Sequence, residues 1–353
     1  MGTAIQNKQP KMVPPDYLWH VHYFRAFAIV CIVLVHSWVV PKSYESAMFA
    51  RPLDACRETL FHSSSIYFVF ISGFLFFALS AKFDLRKYWK NKWSFVLCPY
   101  LVITTGLFVV RKFWGKEEFD GSFANYVDYL LWGKAHVQLW YIPFIAVVFL
   151  VSPWILKVPE RHLPWLCGVS ALLPLLGTRQ GISPFGLNML YFMPIFVVGY
   201  GVARYESAVV SMLKSWLMPI IIGVAMATSA LFYLELSKNE LRYEWGSLRE
   251  SLYYLQKLGL SFLVMEFFRR VGQRKLVLMD QIAKASFGIY FLHPMLQLDF
   301  IWYRMFDFLA QGSPVLLFVV SFAYSLGVVY LCLATTRLLA RLLGKKSRYL
   351  VGC

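Results

Sequence analysis

Long apolar runs alternate along this chain with short polar segments. A helix needs about 20 mostly apolar residues to cross the hydrocarbon core of a bilayer. The runs are continuously apolar, which favours helices over the alternating strands of a membrane barrel. A helix also pairs its backbone polar groups within the segment. The pattern predicts ten membrane-spanning helices, at residues 22–41, 60–81, 93–110, 138–156, 163–178, 187–203, 215–236, 252–268, 282–303 and 314–336.

The composition agrees with a membrane protein. Hydrophobic residues make up 59% of the chain and charged residues only 15%, against about 25% charged residues in a soluble domain. We therefore expect an all-α integral membrane protein. Its expected parts are a cytoplasmic N-terminal segment (1–21), a ten-helix membrane domain (22–336) and a basic cytoplasmic tail (337–353). No spacing of cysteine or histidine is typical of a metal site.

The formal net charge of +16 is explained by the orientation of the chain in the membrane. With the N-terminus placed in the cytoplasm, the predicted inside segments carry a large excess of Lys and Arg, whereas charges in the outside segments balance. Cytoplasmic loops favour Lys and Arg in this way. The pattern predicts two cytoplasmic termini in a multi-pass plasma membrane protein, with a bacterial inner membrane favoured. The expected partners are lipids, not nucleic acid.

The first predicted span contains Arg25 and His36, eleven positions apart. Eleven positions are about three helical turns, so both side chains face roughly the same way, about 16 Å apart along the axis. Ionisable residues within a span usually face an interior cavity. Two simpler explanations stand beside this one. Arg25 lies close enough to the helix start to reach the lipid headgroups, and His36 is also explained as a neutral, hydrogen-bonded packing residue.

Four further segments follow this Arg–His pair in order along the chain. They are SIYFVFISGFL (65–75), RKYWKNK (86–92) leading to Pro99-Tyr100, HVQLWYIP (136–143) and SFGIYFLHP (286–294). Together with the Arg–His spacing, they resemble the acyltransferase-3 family of membrane acyltransferases. The third segment departs from the family pattern, because two residues are inserted after its histidine.

The resemblance implies a ten-helix enzyme that moves an acyl group from acyl-coenzyme A to a hydroxyl. Acetyl is the expected group. The expected acceptor is a glycan or glycolipid, such as a cell-surface polysaccharide or its lipid-linked precursor. Under the resemblance, His36 is the general base, because a hydroxyl is a poor nucleophile until a base takes its proton. Arg25 then binds a donor phosphate or orients the donor, since its planar fork suits phosphate oxygens.

A basic cluster is the second candidate for binding the donor's phosphates. It consists of Arg86, Lys87, Lys90 and Lys92. Ordinary inside-loop charge and contact with anionic lipid are the alternative explanation. The same explanation is preferred for a second basic group, made of Arg269, Arg270, Arg274 and Lys275. Glu266 is expected to pair with Arg269 or Arg270, three and four positions further along the helix.

Candidate acceptor-binding residues lie on the predicted outer side. His136, Trp140 and Tyr141 suit a sugar through stacking and hydrogen bonds, although Trp and Tyr also form interfacial belts without any binding role. His62 lies near the predicted depth of His36 and is a further candidate. His293 is assigned a structural role, because Pro294 leaves a carbonyl near residue 290 without its helical partner.

Two other functional classes compete with an acyltransferase. A secondary transporter or flippase for an amphiphile, such as a lipid-linked sugar, also has buried ionisable residues and Pro-broken spans. The lack of an internal repeat and the few buried acids argue against it. A receptor or scaffold gives no reason for Arg25 and His36 to share a helix face.

Overall fold

The computed structural model describes residues 18–38, 40, 48–114, 120–177, 179, 183–239, 242–243, 246–271, 276–297, 299–310 and 313–352. Within these ranges lie sixteen α-helices. They are α1 (Trp19–Ser37), α2 (Ala50–Phe61), α3 (Ser65–Ala78), α4 (Leu85–Lys92), α5 (Cys98–Trp114), α6 (Phe123–Trp132), α7 (Tyr141–Ile155), α8 (Leu163–Leu176), α9 (Leu187–Arg204), α10 (Glu206–Ser237), α11 (Leu248–Val271), α12 (Val277–Lys284), α13 (Ser286–Leu296), α14 (Asp299–Ala310), α15 (Pro314–Leu343) and α16 (Ser347–Val351).

Smaller elements lie between several of these helices. A π-helix, Trp93–Leu97, joins α4 to α5. Strands β1 (Arg242–Tyr243) and β2 (Gly246–Ser247) form a short antiparallel pair before α11. The predicted all-α class is confirmed for the described residues.

A helix occupies each of the ten predicted spans. Among the described residues, six helical stretches are long and apolar enough to cross a membrane. They are Trp19–Ser37, Ala50–Ala78, Leu85–Phe113, Leu187–Arg204, Glu206–Ser237 and Val315–Val351. Helix α7 is apolar but shorter, and α13, with 11 residues, falls well short of the roughly 30 Å of hydrocarbon. The protein is thus a multi-pass helical membrane protein, while the count of ten spans and the cytoplasmic termini remain predictions.

Helix α1 packs against α3, α11, α12, α13 and α15. Most of its side chains are buried, including Phe24, Ile29 and Val33. Because α1 lies inside the bundle, the groups at its two ends are presented to neighbouring helices. We call the end of the bundle where α1 begins the Arg25 end, and the opposite end the His36 end.

Helices α3 and α9 approach each other to backbone contact through a glycine on each. A Cβ atom added at Gly73 would overlap the carbonyl oxygen of Phe196, and one added at Gly199 would overlap that of Phe70. Small residues permit such close packing of membrane helices. This contact fixes α3, whose first residues form a wall of the candidate site.

The second predicted span is interrupted in the structure between α2 and α3. Helix α2 ends at Phe61, and the backbone leaves the helical conformation at His62 (ψ 148°) and at Ser63 (φ +56°). A helix that ends inside the protein leaves its last carbonyls without helical partners, and these need internal donors in a membrane. Lys257 of α11, fully buried, donates from Nζ to the carbonyls of Thr59 (3.3 Å) and Leu60 (2.8 Å). The interruption brings His62 into the protein interior at the His36 end.

The helix of the last predicted span, α15, continues into the predicted tail. Helix α15 runs to Leu343, beyond the predicted limit of the last span. Helix α16 then packs against α5 and the π-helix, and Val351 and Gly352 are buried. The described part of the predicted tail is therefore docked on the bundle.

Some predicted features fall outside the described residues. They are residues 1–17 of the predicted N-terminal segment, and Arg274 and Lys275 of the second basic group. The expected pairing of Glu266 is confirmed, because Arg269 and Arg270 both donate to its carboxylate.

Candidate functional site

A cavity of about 170 Å³ lies at the His36 end of the bundle. Three segments distant in the sequence meet there: the end of α1 with His36, the interruption between α2 and α3 with His62, and the start of α7 with Trp140 and Tyr141. Four of the residues singled out in the sequence thus line one cavity. Its volume admits a small ligand or part of a larger one.

His36 is held by its neighbours while its ring remains available. Its backbone carbonyl accepts a hydrogen bond from Nε2 of Gln297 (2.7 Å). Its ring stacks on that of His293, with 5.8 Å between centroids and 29° between planes. Among the described residues, none forms a hydrogen bond with either ring nitrogen of His36. The ring lines the cavity, so its nitrogens can engage a substrate.

His293 is fixed on both sides of its ring. Nδ1 lies 3.1 Å from the carbonyl oxygen of Ile289, and a carbonyl only accepts, so Nδ1 carries the hydrogen. Nε2 of the neutral ring then accepts from Nε2 of Gln138 (2.9 Å). The bonded carbonyl belongs to Ile289, one residue before the carbonyl that Pro294 leaves free. The stack on His36 adds a positioning role that the sequence did not indicate.

Gln138 connects three groups at the edge of the cavity. Besides donating to His293, its side chain contacts Nδ1 of His136, and its backbone carbonyl accepts from the Tyr290 hydroxyl (2.6 Å). Gln138 is only 2% exposed and belongs to the two-residue insertion after His136. Gln138 lines the cavity, whereas His136 is linked to it through Gln138.

Trp140 and Tyr141 form an aromatic wall of the cavity. They are 4% and 7% exposed, whereas a lipid-interface belt would leave its rings at the protein surface. The guanidinium of Arg179 lies over the Trp140 ring, 5.6 Å from its centroid. Burial beside His36 therefore favours the binding interpretation of these two rings.

His62 lies in a cluster of charged side chains. Its Nδ1 is 2.6 Å from Oε2 of Glu58, one helical turn earlier. Its Nε2 is 3.2 Å from Nη1 of Arg179 and 3.7 Å from Oε1 of Glu250. The ring also packs on Tyr253, with centroids 4.5 Å apart. Sequence reasoning missed Glu58, Arg179 and Glu250, although the Glu58–His62 spacing of four was a visible signal.

Arg57 ties this cluster to α1. Nη1 donates to the carbonyl of Val35 (3.1 Å), the residue before His36. Nη2 is paired with Asp54 (2.6 Å) and Glu58 (2.5 Å). The positions of His36 and His62 are thus linked through a single arginine.

The Arg25 end carries a separate pair of cations. The guanidinium of Arg25 lies over the ring of Phe287 on α13, at 4.9 Å, and Nζ of Lys92 lies 3.9 Å from the ring centroid of Phe149. The two charges are close enough to interact electrostatically. By contrast, Arg86, Lys87 and Lys90 are exposed on α4. The predicted basic cluster therefore divides, and Lys92 alone of its members turns toward Arg25.

No group of three or more potential metal ligands occurs within the described ranges. The geometry instead offers an available imidazole, a lined cavity and a pair of cations near the opposite end of the same helix.

Comparison with known proteins identifies the class. The family model described as an acyltransferase domain, that of the acyltransferase-3 family, matches residues 19–334. The match covers most of the chain, so the protein belongs to this family and is a membrane acyltransferase. No curated protein and no solved structure matches the chain.

Proposed function

We propose that the protein transfers an acyl group, namely acetyl, from acyl-coenzyme A to a hydroxyl of a glycan or glycolipid. The acceptor is a cell-surface polysaccharide or its lipid-linked precursor, and the enzyme acts in the plasma membrane. The observation that carries the proposal is the ring of His36, which lines an aromatic-walled cavity and has no hydrogen-bond partner on its nitrogens among the described residues.

His36 is the general base of this reaction. Arg57 and Arg179 line the cavity together with His36, and no carboxylate pairs with the His36 ring among the described residues. These surroundings agree with the neutral imidazole that a base requires. Attack of the acceptor oxygen on the thioester carbon transfers the hydroxyl proton to His36, which returns it to the departing thiolate. A positioned base of this kind contributes about 10²–10⁴-fold in rate.

Arg25 and Lys92 bind the donor's phosphates. Arg25 lies about three helical turns from His36, about 16 Å along α1, and Lys92 is close enough to Arg25 to interact with it electrostatically. Phosphates held there leave the thioester arm free to extend toward the cavity. The exposed Arg86, Lys87 and Lys90, on the same helix as Lys92, add positive charge that attracts the anionic donor to this end.

The acceptor occupies the cavity. A sugar ring stacks on Trp140 and Tyr141, and His62 completes the lining of the substrate-binding cavity. His136 contributes through Gln138, whose side chain it orients. Approach of donor and acceptor from opposite ends explains why the two groups of residues are separated along α1.

The test uses the purified protein in detergent with acetyl-coenzyme A labelled in the acetyl group. Extracted membrane glycolipids and glycans serve as acceptors, and ester-linked label is the readout. The proposal expects labelled product, together with a rise in melting temperature on addition of acetyl-coenzyme A, because a ligand of the native state stabilises it. Absence of both label and stabilisation contradicts the proposal and favours the transporter alternative.

A further inference from the structure

The cavity contains a second histidine, His62, whose charged surroundings are opposite to those of His36. Each nitrogen of its ring faces a carboxylate: Nδ1 faces Glu58 at 2.6 Å, and Nε2 faces Glu250 at 3.7 Å. An imidazolium at this position is compensated on both sides. Two histidines of one site held in contrasting environments are suited to different tasks.

Glu58 orients the ring of His62 in every protonation state. A carboxylate only accepts, so Nδ1 carries a hydrogen and Nε2 points away from Glu58. Glu58 is itself held by Arg57 (2.5 Å). The Glu58–His62 pair is therefore a carboxylate-oriented imidazole with its second nitrogen turned to the other charged groups of the cavity.

Nε2 of His62 has a partner in both protonation states of the ring. The neutral ring accepts from Nη1 of Arg179 (3.2 Å). The protonated ring donates toward Oε1 of Glu250 (3.7 Å). In addition, Oε2 of Glu250 is buried and forms no hydrogen bond with the described residues, so this carboxylate has spare accepting capacity. His62 can thus gain or lose a proton without leaving an unpaired nitrogen.

We infer that His62 is a second catalytic residue, which donates a hydrogen bond from Nε2 to the acyl carbonyl oxygen as negative charge develops there, and that Glu58 is its positioning residue. This inference rests on the proposed acyl transfer.

The step balances with His36 as the base. The acceptor oxygen bonds to the thioester carbon and its proton passes to His36. The carbonyl oxygen becomes an oxyanion held by His62. Collapse of this intermediate breaks the carbon–sulfur bond, and the thiolate takes the proton from His36. His62 keeps its own proton throughout, so the reaction ends with both histidines as they began.

Two nearby features reinforce positive potential at the same place. Arg179 lines the cavity, and so do Ser63, Ser64 and Ser65 at the start of α3. The N-terminus of a helix carries a partial positive charge. Preorganised positive charge of this kind is worth most where charge develops in the transition state.

The experiment measures kcat against pH for labelled acetyl transfer. Since the base must be neutral and the donor protonated, the wild type is expected to show a bell-shaped profile. His62→Gln keeps an N–H donor that does not titrate, so its descending limb should disappear. His62→Ala has no donor and should lose about 10²–10³-fold in kcat, with a smaller change in KM for acetyl-coenzyme A.

Glu58→Gln tests the positioning role separately. Its amide oxygen still accepts from Nδ1 of His62, but its negative charge is gone. The imidazolium is then less stabilised and loses its proton at lower pH, so the descending limb should move to lower pH. Asp54→Asn is the matched control. It removes a carboxylate that lies on the same helix but does not contact His62. The descending limb of the pH profile of this variant should stay in place.

The outcomes separate the two proposals. A wild type that neither transfers label nor is stabilised by acetyl-coenzyme A contradicts the proposed function itself. An active wild type whose profile has no descending limb, or whose limb is unmoved in both His62→Gln and Glu58→Gln, overturns the role of His62. If thermal unfolding shows that His62→Gln does not fold, the Glu58→Gln profile decides alone.

Discussion

The imidazole rings of His36 and His293 are stacked, with centroids 5.8 Å apart and planes 29° apart. The two residues belong to α1 and α13, which lie at opposite ends of the sequence. Because His293 is bonded through both nitrogens to Ile289 and Gln138, it presents a fixed ring face to His36. The proposed base is therefore oriented by a chain of contacts that begins at Gln138.

This arrangement makes Gln138 and His293 a coupled pair. His293→Phe keeps a ring to stack on His36 but leaves the buried Gln138 amide without its acceptor, at a cost of about 1–3 kcal/mol. Gln138→Leu breaks the same hydrogen bond from the other side. Each change should lower kcat for acetyl transfer more than it alters KM, because it disturbs the orientation of His36.

The double variant tests the coupling between these residues. If both act through their shared hydrogen bond, the combined loss should be clearly smaller than the two losses together. Kinetics of the wild type, both single variants and the double variant give the coupling energy. Fully additive losses would show that Gln138 does not act on His36 through His293.

Arg25 and Lys92 should govern the affinity for the donor. Arg25→Lys keeps the charge but loses the planar fork, so transfer should be severely impaired and KM for acetyl-coenzyme A should rise. Lys92→Met should also raise that KM. Arg86→Met is the matched control from the exposed part of the cluster and should change it much less. Full activity of Arg25→Lys would return Arg25 to the headgroup-binding explanation.

The contact between α3 and α9 should tolerate no side chain at Gly73. Gly73→Ala places a methyl group on the carbonyl of Phe196, and overpacking of this kind costs about 1–3 kcal/mol or more. Thermal unfolding in detergent should show a clear fall in melting temperature. Gly106→Ala is the control, because an added Cβ there meets no atom within 4 Å; an equal fall in both variants would refute the packing argument.

Asp280 links α12 to α1 at the Arg25 end. Burial alone would raise the pKa of Asp280, but hydrogen bonds from Lys284 (2.6 Å) and His22 (3.0 Å) outweigh it and hold the pKa below its usual value. A depressed folded-state pKa stabilises the fold above the unfolded pKa of about 3.9, and the stabilisation is lost as the pH falls through the folded value.

Asp280→Asn should therefore lower the melting temperature at pH 7, and the difference from the wild type should shrink in acid, below about pH 4. Asp128→Asn, which removes an exposed partner of Lys134, should have little effect at either pH. A difference for Asp280→Asn that persists undiminished in acid would mean that the ion pairs are not its cause.

The sequence predicted what depends on local spacing. Apolar runs located a helix at every predicted span, and the eleven-residue separation of Arg25 and His36 assigned both to α1. The interruption at Ser63 was missed, because its buried helix end is satisfied by Lys257, almost 200 positions later. The site around His62 was incomplete for the same reason, since Arg179 and Glu250 reach it only through tertiary packing. Arg86, Lys87 and Lys90 are exposed to solvent, whereas Lys92 is partly buried. The pattern of charges along the sequence does not indicate this difference in exposure.

The central claim is that His36 is the base of acyl transfer. The most direct test compares the wild type, His36→Ala and His162→Ala for the rate at which labelled acetyl passes from acetyl-coenzyme A to an ester-linked acceptor. His162 is an exposed histidine outside the cavity, so its variant should keep wild-type activity. His36→Ala should fold and still be stabilised by acetyl-coenzyme A, yet lose about 10²–10⁴-fold in rate. A His36→Ala enzyme that retains more than about a tenth of the wild-type rate would contradict the account. Its loss, less than about tenfold, would be smaller than even the smallest contribution of a positioned base.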